Sequence, residues 1–178
     1  MDNNYVFQYW EAIENGTVTV GKWIRTIYKI LVDGLKSGKW DFDGDKANKA
    51  INFIENFCHH SEGRNDLLKL ELWQKAIVSA IFGIMDKKTG YRQFREVFIV
   101  VARKNGKTLF AAAIAAYMTY IDGEYGAKVY FLAPKLDQAD LVYDAFYQIV
   151  QADDELESIT KKRRSDIYIK EFNTSVKK

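Results

Sequence analysis

The sequence predicts an α/β fold in which a parallel sheet flanked by helices follows an all-α N-terminal subdomain, and three observations carry that reading. Residues 97–101 (Val-Phe-Ile-Val-Val) are β-branched or aromatic without a break, as in a strand buried on both faces of a parallel sheet. Residues 109–120 read as a helix packed closely through small residues, and 128–134 form a second apolar run at the spacing of a strand-helix-strand unit. The first third of the chain instead carries its apolar residues at helical spacing. The expected division is a helical subdomain over 1–66 and an α/β part over 67–178.

Between the first run and its helix lies a short basic-polar loop. Ala102, Arg103, Lys104 and Asn105 lead into Gly106, Lys107 and Thr108, which open the helix. This is the layout of a phosphate-binding P-loop, so the expected sheet is P-loop NTPase-like and partial. Backbone N–H groups and the positive end of a helix dipole converge at such a junction, which suits a polyphosphate. Lys107 is placed to reach the terminal phosphates of ATP, and Thr108 to put its hydroxyl on a bridging Mg2+ ion. The standard pattern begins with a glycine, and Val101 stands in that place. On a blander reading, Gly106, Lys107 and Thr108 merely start a helix after a surface loop. The strand before, the helix after and the second strand beyond favour the phosphate loop.

Composition bounds the rest. A chain of 178 residues, 48% of them hydrophobic, can bury one sizeable core with a smaller appended subdomain. A formal charge of +2 does not announce nucleic-acid binding. Cys58 is the single cysteine, which excludes an internal disulfide and is compatible with a reducing cytoplasm. No apolar run reaches the roughly 18 residues of a membrane span, and the polar start at Met1, Asp2 and Asn3 is unlike a signal peptide. A soluble intracellular protein with no membrane partner is expected.

Taken in order, Tyr5, Val6, Tyr9, Trp10 and Ile13 share one helical face, with Gly16 as a stop. Val20, Trp23, Ile24, Ile27, Tyr28, Leu31 and Leu35 make a longer stripe, with Thr19 as N-cap and Gly38 past the end. Residues 40–45 read as a turn before a third helix whose apolar face is Ala47, Ala50, Ile51, Ile54, Phe57 and Cys58. Asp41, Asp43 and Asp45 resemble the start of a calcium loop, yet Gly44 comes too early and no bidentate glutamate follows. Cys58, His59 and His60 are adjacent and lack the spacing that lets ligands converge on zinc; a helix C-terminus is the better account. Residues 61–66 are the expected linker. Another helix carries Trp73, Ala76, Ile77, Ala80, Ile81 and Ile84 on one side, and 86–92 form a basic turn around Gly90.

After Pro134, a helix over 136–150 should turn Leu141, Val142, Ala145, Phe146 and Ile149 inward and leave Asp137, Asp140 and Asp144 in solvent. Residues 153–164 read as a short helix with acids first and bases last, matched to its dipole. Its basic end, Lys161 to Arg164, offers a weak footprint for a nucleic acid backbone. Residues 166–170 alternate like a short strand.

Several of these pieces together resemble the large terminase subunit of tailed bacteriophages. They are Leu72, Trp73, Gln74 and Lys75; Ile81, Phe82 and Gly83; the loop from Val100 to Thr108; the run from Val129 to Pro134; and Phe53 to Phe57 with the N-terminal helices. The loop is the most specific part, and its missing first glycine is acceptable in that family. The resemblance implies an N-terminal ATPase that drives double-stranded DNA into a prohead, with a C-terminal nuclease that cuts the concatemer. It implies a portal protein and a small terminase subunit as partners, a ring homo-oligomer, and the cytoplasm of a bacterial host. By position, Arg103 matches an arginine finger on the γ-phosphate, where a guanidinium meets charge developing on the transferred oxygens. Gln74 matches a glutamine that reads the adenine edge, since a carboxamide both donates and accepts. Lys104, Asn105, Gly106, Lys107 and Thr108 complete the nucleotide site.

An ATPase of this class also needs a magnesium-holding aspartate and a carboxylate that activates water. No apolar strand ending in such a pair follows Pro134, so the chain is expected to stop before that strand and to be inactive alone. Two other readings stay open. One is a different P-loop ATPase such as a helicase, and the other is a non-catalytic helical interaction module with a vestigial loop.

Overall fold

Asn4 starts the first helix, α1 (Tyr5–Glu14), by accepting the N–H groups of Val6 and Phe7 on its side-chain oxygen, an N-cap worth about 1 kcal/mol. Asn15 ends it and Gly16 follows at φ +78°. The computed structural model describes residues 4–60, 63, 64 and 66–178. Ser61, Glu62 and Asn65 of the expected linker, and Met1, Asp2 and Asn3 of the polar start, lie outside the described residues. The architecture is mixed α/β, with helices and small sheets. It groups into two compact units, Met1–Asn52 with Leu70–Ile99, and Phe53–Lys69 with Val100–Lys178.

In the first unit, α1 packs on α2 (Lys22–Lys36) and on α4 (Leu72–Gly83). Val6, Ile13, Val32, Ala76 and Ile84 are almost wholly buried there, and the Tyr9 and Tyr28 rings meet edge to face at 4.7 Å. The stripe expected on α2 is divided by the packing. Tyr28, Leu31 and Val32 are buried, whereas Trp23 (73% exposed), Ile24, Ile27 and Ile30 face solvent. Gly21, not Thr19, is the N-cap. Residues 40–45 also depart from the expected turn, because Trp40–Phe42 is a strand, β1, paired antiparallel with β2 (Ile84–Asp86). Pairing gives Trp40 a core to enter: its ring is buried, fills the notch left by the absent side chain of Gly34, and meets Phe94 at 5.6 Å. The turn around Gly90 forms as expected, with the Asp86 carboxylate accepting from the backbone of Lys88 and from the backbone and hydroxyl of Thr89. Those bonds hold the Asp86 carboxyl below its usual range. Helix α3 (Gly44–Phe57) contributes its residues up to Asn52 to this unit.

The second unit is built on α5 (Lys107–Tyr120) and α6 (Leu136–Gln151), which pack together through Ala112, Ala113, Ala116, Phe146 and Ile149. Beside them lies a four-stranded sheet of β3 (Lys128–Tyr130), β4 (Thr160–Lys162), β5 (Ile167–Ile169) and β6 (Thr174–Lys177), in the order β3-β6-β5-β4. Only β3 and β6 are parallel; the other pairs are antiparallel. Leu141, expected inward, is 63% exposed on α6, because the helix buries Ala139, Tyr143, Ala145, Phe146 and Val150 and Leu141 lies off that face. The acid-to-base helix expected over 153–164 is instead the short α7 (Asp154–Ser158) followed by β4, whose backbone bonds are taken by β5.

The strand expected over 97–101 is absent: these residues are irregular, and Phe98 (93%) and Val100 (80%) are exposed. A strand that would be buried on both faces draws its stability from neighbours on both sides. Among the described residues no strand pairs with this one.

Candidate functional site: the loop before helix α5

The loop expected to hold phosphate is a tight bend with no strand before it. Lys104 sits at φ +65°, the left-handed region that a residue with a Cβ rarely adopts, and Gly106 follows at φ +64°. Between them, Asn105 donates from its side-chain Nδ2 to the carbonyls of Ala102 (3.3 Å) and Arg103 (3.2 Å). The carboxamide therefore braces the bend from inside the loop, a role that local Asn-to-backbone bonding explains. Gly106 is the N-cap of α5, and its carbonyl accepts the Phe110 N–H at 2.9 Å. Among the described residues no side chain caps the helix. The first-turn amides of α5 are thus left for another acceptor, at the end of the helix where the dipole favours an anion.

Arg103, Lys104, Asn105, Gly106 and Lys107 are exposed, and Thr108 is partly so. Two cationic side chains beside Lys107 and an uncapped helix start make this an anion-accepting surface. Magnesium usually keeps several waters and takes one or two protein oxygens with those of phosphates. The Thr108 hydroxyl, in the first turn, is an oxygen of the right kind.

Gln74 lies in the other compact unit, at the third position of α4. There its Oε1 accepts the Glu71 N–H at 2.9 Å in a reciprocal capping box with Glu71, and its side chain is buried. Glu71 and Gln74 stand at the three-residue spacing that such a box needs.

Two aspartates, Asp153 and Asp43, cap helix starts. Asp153 caps α7, accepting from Glu155 and Leu156 N–H at 3.0 Å each. Asp43 accepts the Lys46 N–H at 2.9 Å at the start of α3. Among the described residues, no group of three or more His, Cys, Asp or Glu side chains gathers as a metal site. No described helix is long and apolar enough to cross a membrane.

No protein of curated function matches the sequence. Among solved structures, the chain is similar to the crystal structure of the HK97 bacteriophage large terminase, with a TM-score of 0.64 and 24% sequence identity. That likeness, which speaks for the fold, covers 74% of this chain and 26% of the terminase, so the chain spans about a quarter of its length. The family model described as terminase large subunit, ATPase domain, matches residues 72–177, a stretch that contains the braced loop, α5, α6 and the whole four-stranded sheet. By that match over more than half its length, the chain belongs to the family of terminase large subunit ATPase domains.

Proposed function

We propose that this chain is the nucleotide-binding part of a packaging motor, a terminase large subunit that uses ATP to drive double-stranded DNA into proheads. The observation that carries the reading is the loop from Ala102 to Thr108: two left-handed residues, an internal asparagine brace and an uncapped helix start. Residues 1–66 act as a helical subdomain ahead of the ATPase part over 67–178. The exposed row at 97–100 is the inner strand of a P-loop parallel sheet, completed by neighbouring strands of the longer polypeptide. Exposed β-branched and aromatic residues in a run are what such a strand leaves when unpaired.

Within the site, the amides of Lys107 and Thr108 and the Lys107 ammonium bind the phosphates of ATP, and Gly106 lets the backbone approach them. Thr108 supplies one oxygen to Mg2+, which when bound neutralises phosphate charge. Arg103 meets the γ-phosphoryl oxygens as charge develops on them, and Lys104 adds positive potential beside it. Asn105 holds the loop in register. Gln74 reads adenine through the carboxamide donors that its capping bond leaves free. The working assembly is a ring of such subunits with a portal protein and a small terminase subunit, in the cytoplasm of a bacterial host.

Isothermal titration of the chain with ATPγS and magnesium tests the reading. The wild type should bind, and Lys107→Ala should lose most of that binding because the charge facing the phosphates is gone. Equal binding by the two proteins would remove the loop from the nucleotide site.

A further inference from the structure

The four-stranded sheet has two chemically different faces. Register places Val129, Val176, Ile167 and Lys162 in one row across the strands, and Lys128, Ser175, Tyr168 and Lys161 in the next. Because side chains alternate along a strand, the two rows face opposite ways. Contacts identify which face the helices cover. Phe131 meets Tyr143 and Phe146 of α6, the Lys162 ammonium lies 3.9 Å from the Tyr147 ring centre, Lys178 pairs with Asp140, and the Thr160 and Tyr120 hydroxyls are 2.7 Å apart. All four residues share the parity of the apolar row.

The other face carries Lys128, Lys161 and Tyr168, and one step along the strands Tyr130, Lys177 and Arg163. Lys128, Tyr130, Lys161 and Arg163 are exposed, Tyr168 and Lys177 are half-buried, and the small Ser175 between them is buried. The Arg163 guanidinium lies 4.0 Å from the Tyr168 ring centre and holds Asp166, the carboxylate beside it. Arg163 is therefore committed within the fold, whereas no ion pair among the described residues holds Lys128, Lys161 or Lys177. The acids of α7 do not neutralise this surface either: among the described residues none pairs with Lys161, Lys162, Arg163 or Arg164.

We propose that this open face of the sheet is where the phosphate backbone of duplex DNA lies, contacted by Lys128, Lys161 and Lys177, an assignment that rests on the packaging function above. Neighbouring strands are about 4.8 Å apart, so Lys128 and Lys161, three strands from each other, stand about 14 Å apart. Flexible ammonium groups at that separation meet several phosphates of a duplex, which carries one charge per about 1.7 Å of axis. The Tyr130 hydroxyl adds a donor for phosphate oxygen. Neither row presents an Arg, Asn or Gln free to read a base edge, so binding is independent of sequence.

Fluorescence anisotropy of the 178-residue chain with a labelled 30-base-pair duplex of arbitrary sequence, over about 50 to 200 mM salt, tests this. Replacing Lys128, Lys161 and Lys177 together with Gln should lower the slope of log Kobs against log salt by about 2.7 and weaken binding several hundredfold near 0.1 M, following about 0.9 per lost phosphate contact. If far-UV circular dichroism shows that the triple variant is unfolded, each single variant should lower the slope by about 0.9. A charge-matched control, Lys22, Lys36 and Lys88 to Gln, should bind as the wild type does. An unchanged slope in the variants, no duplex binding by the wild type at 50 mM salt, or tighter binding of a single strand of equal length would overturn the assignment. ATPγS titration of the triple variant separates the two readings. Lost DNA binding should leave nucleotide binding intact, and Lys107→Ala should do the reverse.

Discussion

Arg163 and Asp166 form a two-pronged ion pair across the turn between β4 and β5, Nε to Oδ1 at 2.7 Å and the second guanidinium nitrogen to Oδ2 at 2.8 Å, with the Arg163 N–H donating to the Asp166 carbonyl at 2.8 Å. Asp166 is 5% exposed, so its carboxylate depends on that arginine for compensation. Arg163→Met should lower Tm more than Asp166→Asn does, since the first strands a buried charge. The double variant should be more stable than the sum of the single effects implies. Additive losses in thermal denaturation would show that the pair is not coupled.

A side chain at Gly106 should carry a cost. Nothing lies within 4 Å of the place a Cβ would take, so the obstacle to Gly106→Ala is its φ of +64°, which costs about 1 kcal/mol or more for a residue with a Cβ. The variant should melt lower and bind ATPγS about tenfold more weakly, as the loop shifts to relieve the strain and tilts the first-turn amides. Lys104→Gly has the opposite character, since it relieves the same strain at φ +65°, and it should not lower Tm by calorimetry.

Arg103 is exposed in the loop, and its own carbonyl accepts the Asn105 brace, so its side chain is not needed to hold the bend. In the full-length protein Arg103→Ala should leave ATPγS affinity within a few-fold and lower kcat by roughly a thousandfold, the scale of arginine fingers. Lysine should not restore turnover, lacking the planar fork. A lysine variant with near-normal kcat would take Arg103 out of the reaction.

Cys58 gives the chain an alkaline limit. Burial, with the Asp153 charge adding to it, pushes its thiol from the usual 9.0 up to about 12. The unfolded thiol ionises first, so between these values the unfolded state holds fewer protons and stability falls as pH rises, by about 1.4 kcal/mol per pH unit. Buried Tyr28 and Tyr120, also raised by desolvation, act in the same direction. Denaturant titrations at pH 9 and 11 should show the loss, and Cys58→Ala should lessen it, leaving the part due to the two tyrosines. The native thiol should resist iodoacetamide at pH 8 and react once the chain unfolds.

Helices were the legible part of this sequence, because a 3.6-residue period is a local signal: α1, α3, α4, α5 and α6 begin and end within a few residues of where the pattern puts them. Strands depend on partners that no local pattern names. Trp40–Phe42 pairs although it reads as a turn, residues 97–101 do not pair although they read as a buried strand, and the basic run becomes β4 because Ile167–Ile169 offers it an edge. At the site, Gly106, Lys107 and Thr108 were readable as the start of α5. The left-handed Lys104 was not, since its cost is offset by the Asn105 brace, a bond within the loop that apolar periodicity does not register. Trp23 and Leu141 mark the same limit, because periodicity says which residues share a face and not which face is covered.

Strand β3 joins its parallel neighbour β6 only after the whole of α6, α7 and the β4-β5 hairpin has been made. At a ribosomal rate of about 5–20 residues per second, the 43 residues between them take roughly 2–9 seconds to synthesise. During that interval Val129 and Tyr130 emerge as an unpaired edge next to a loop already able to close on itself. Growing polypeptides on neighbouring ribosomes of one message would present the same edge at the same moment, so expression at reduced temperature or with a holdase chaperone should raise the soluble yield more than any change in buffer made after lysis.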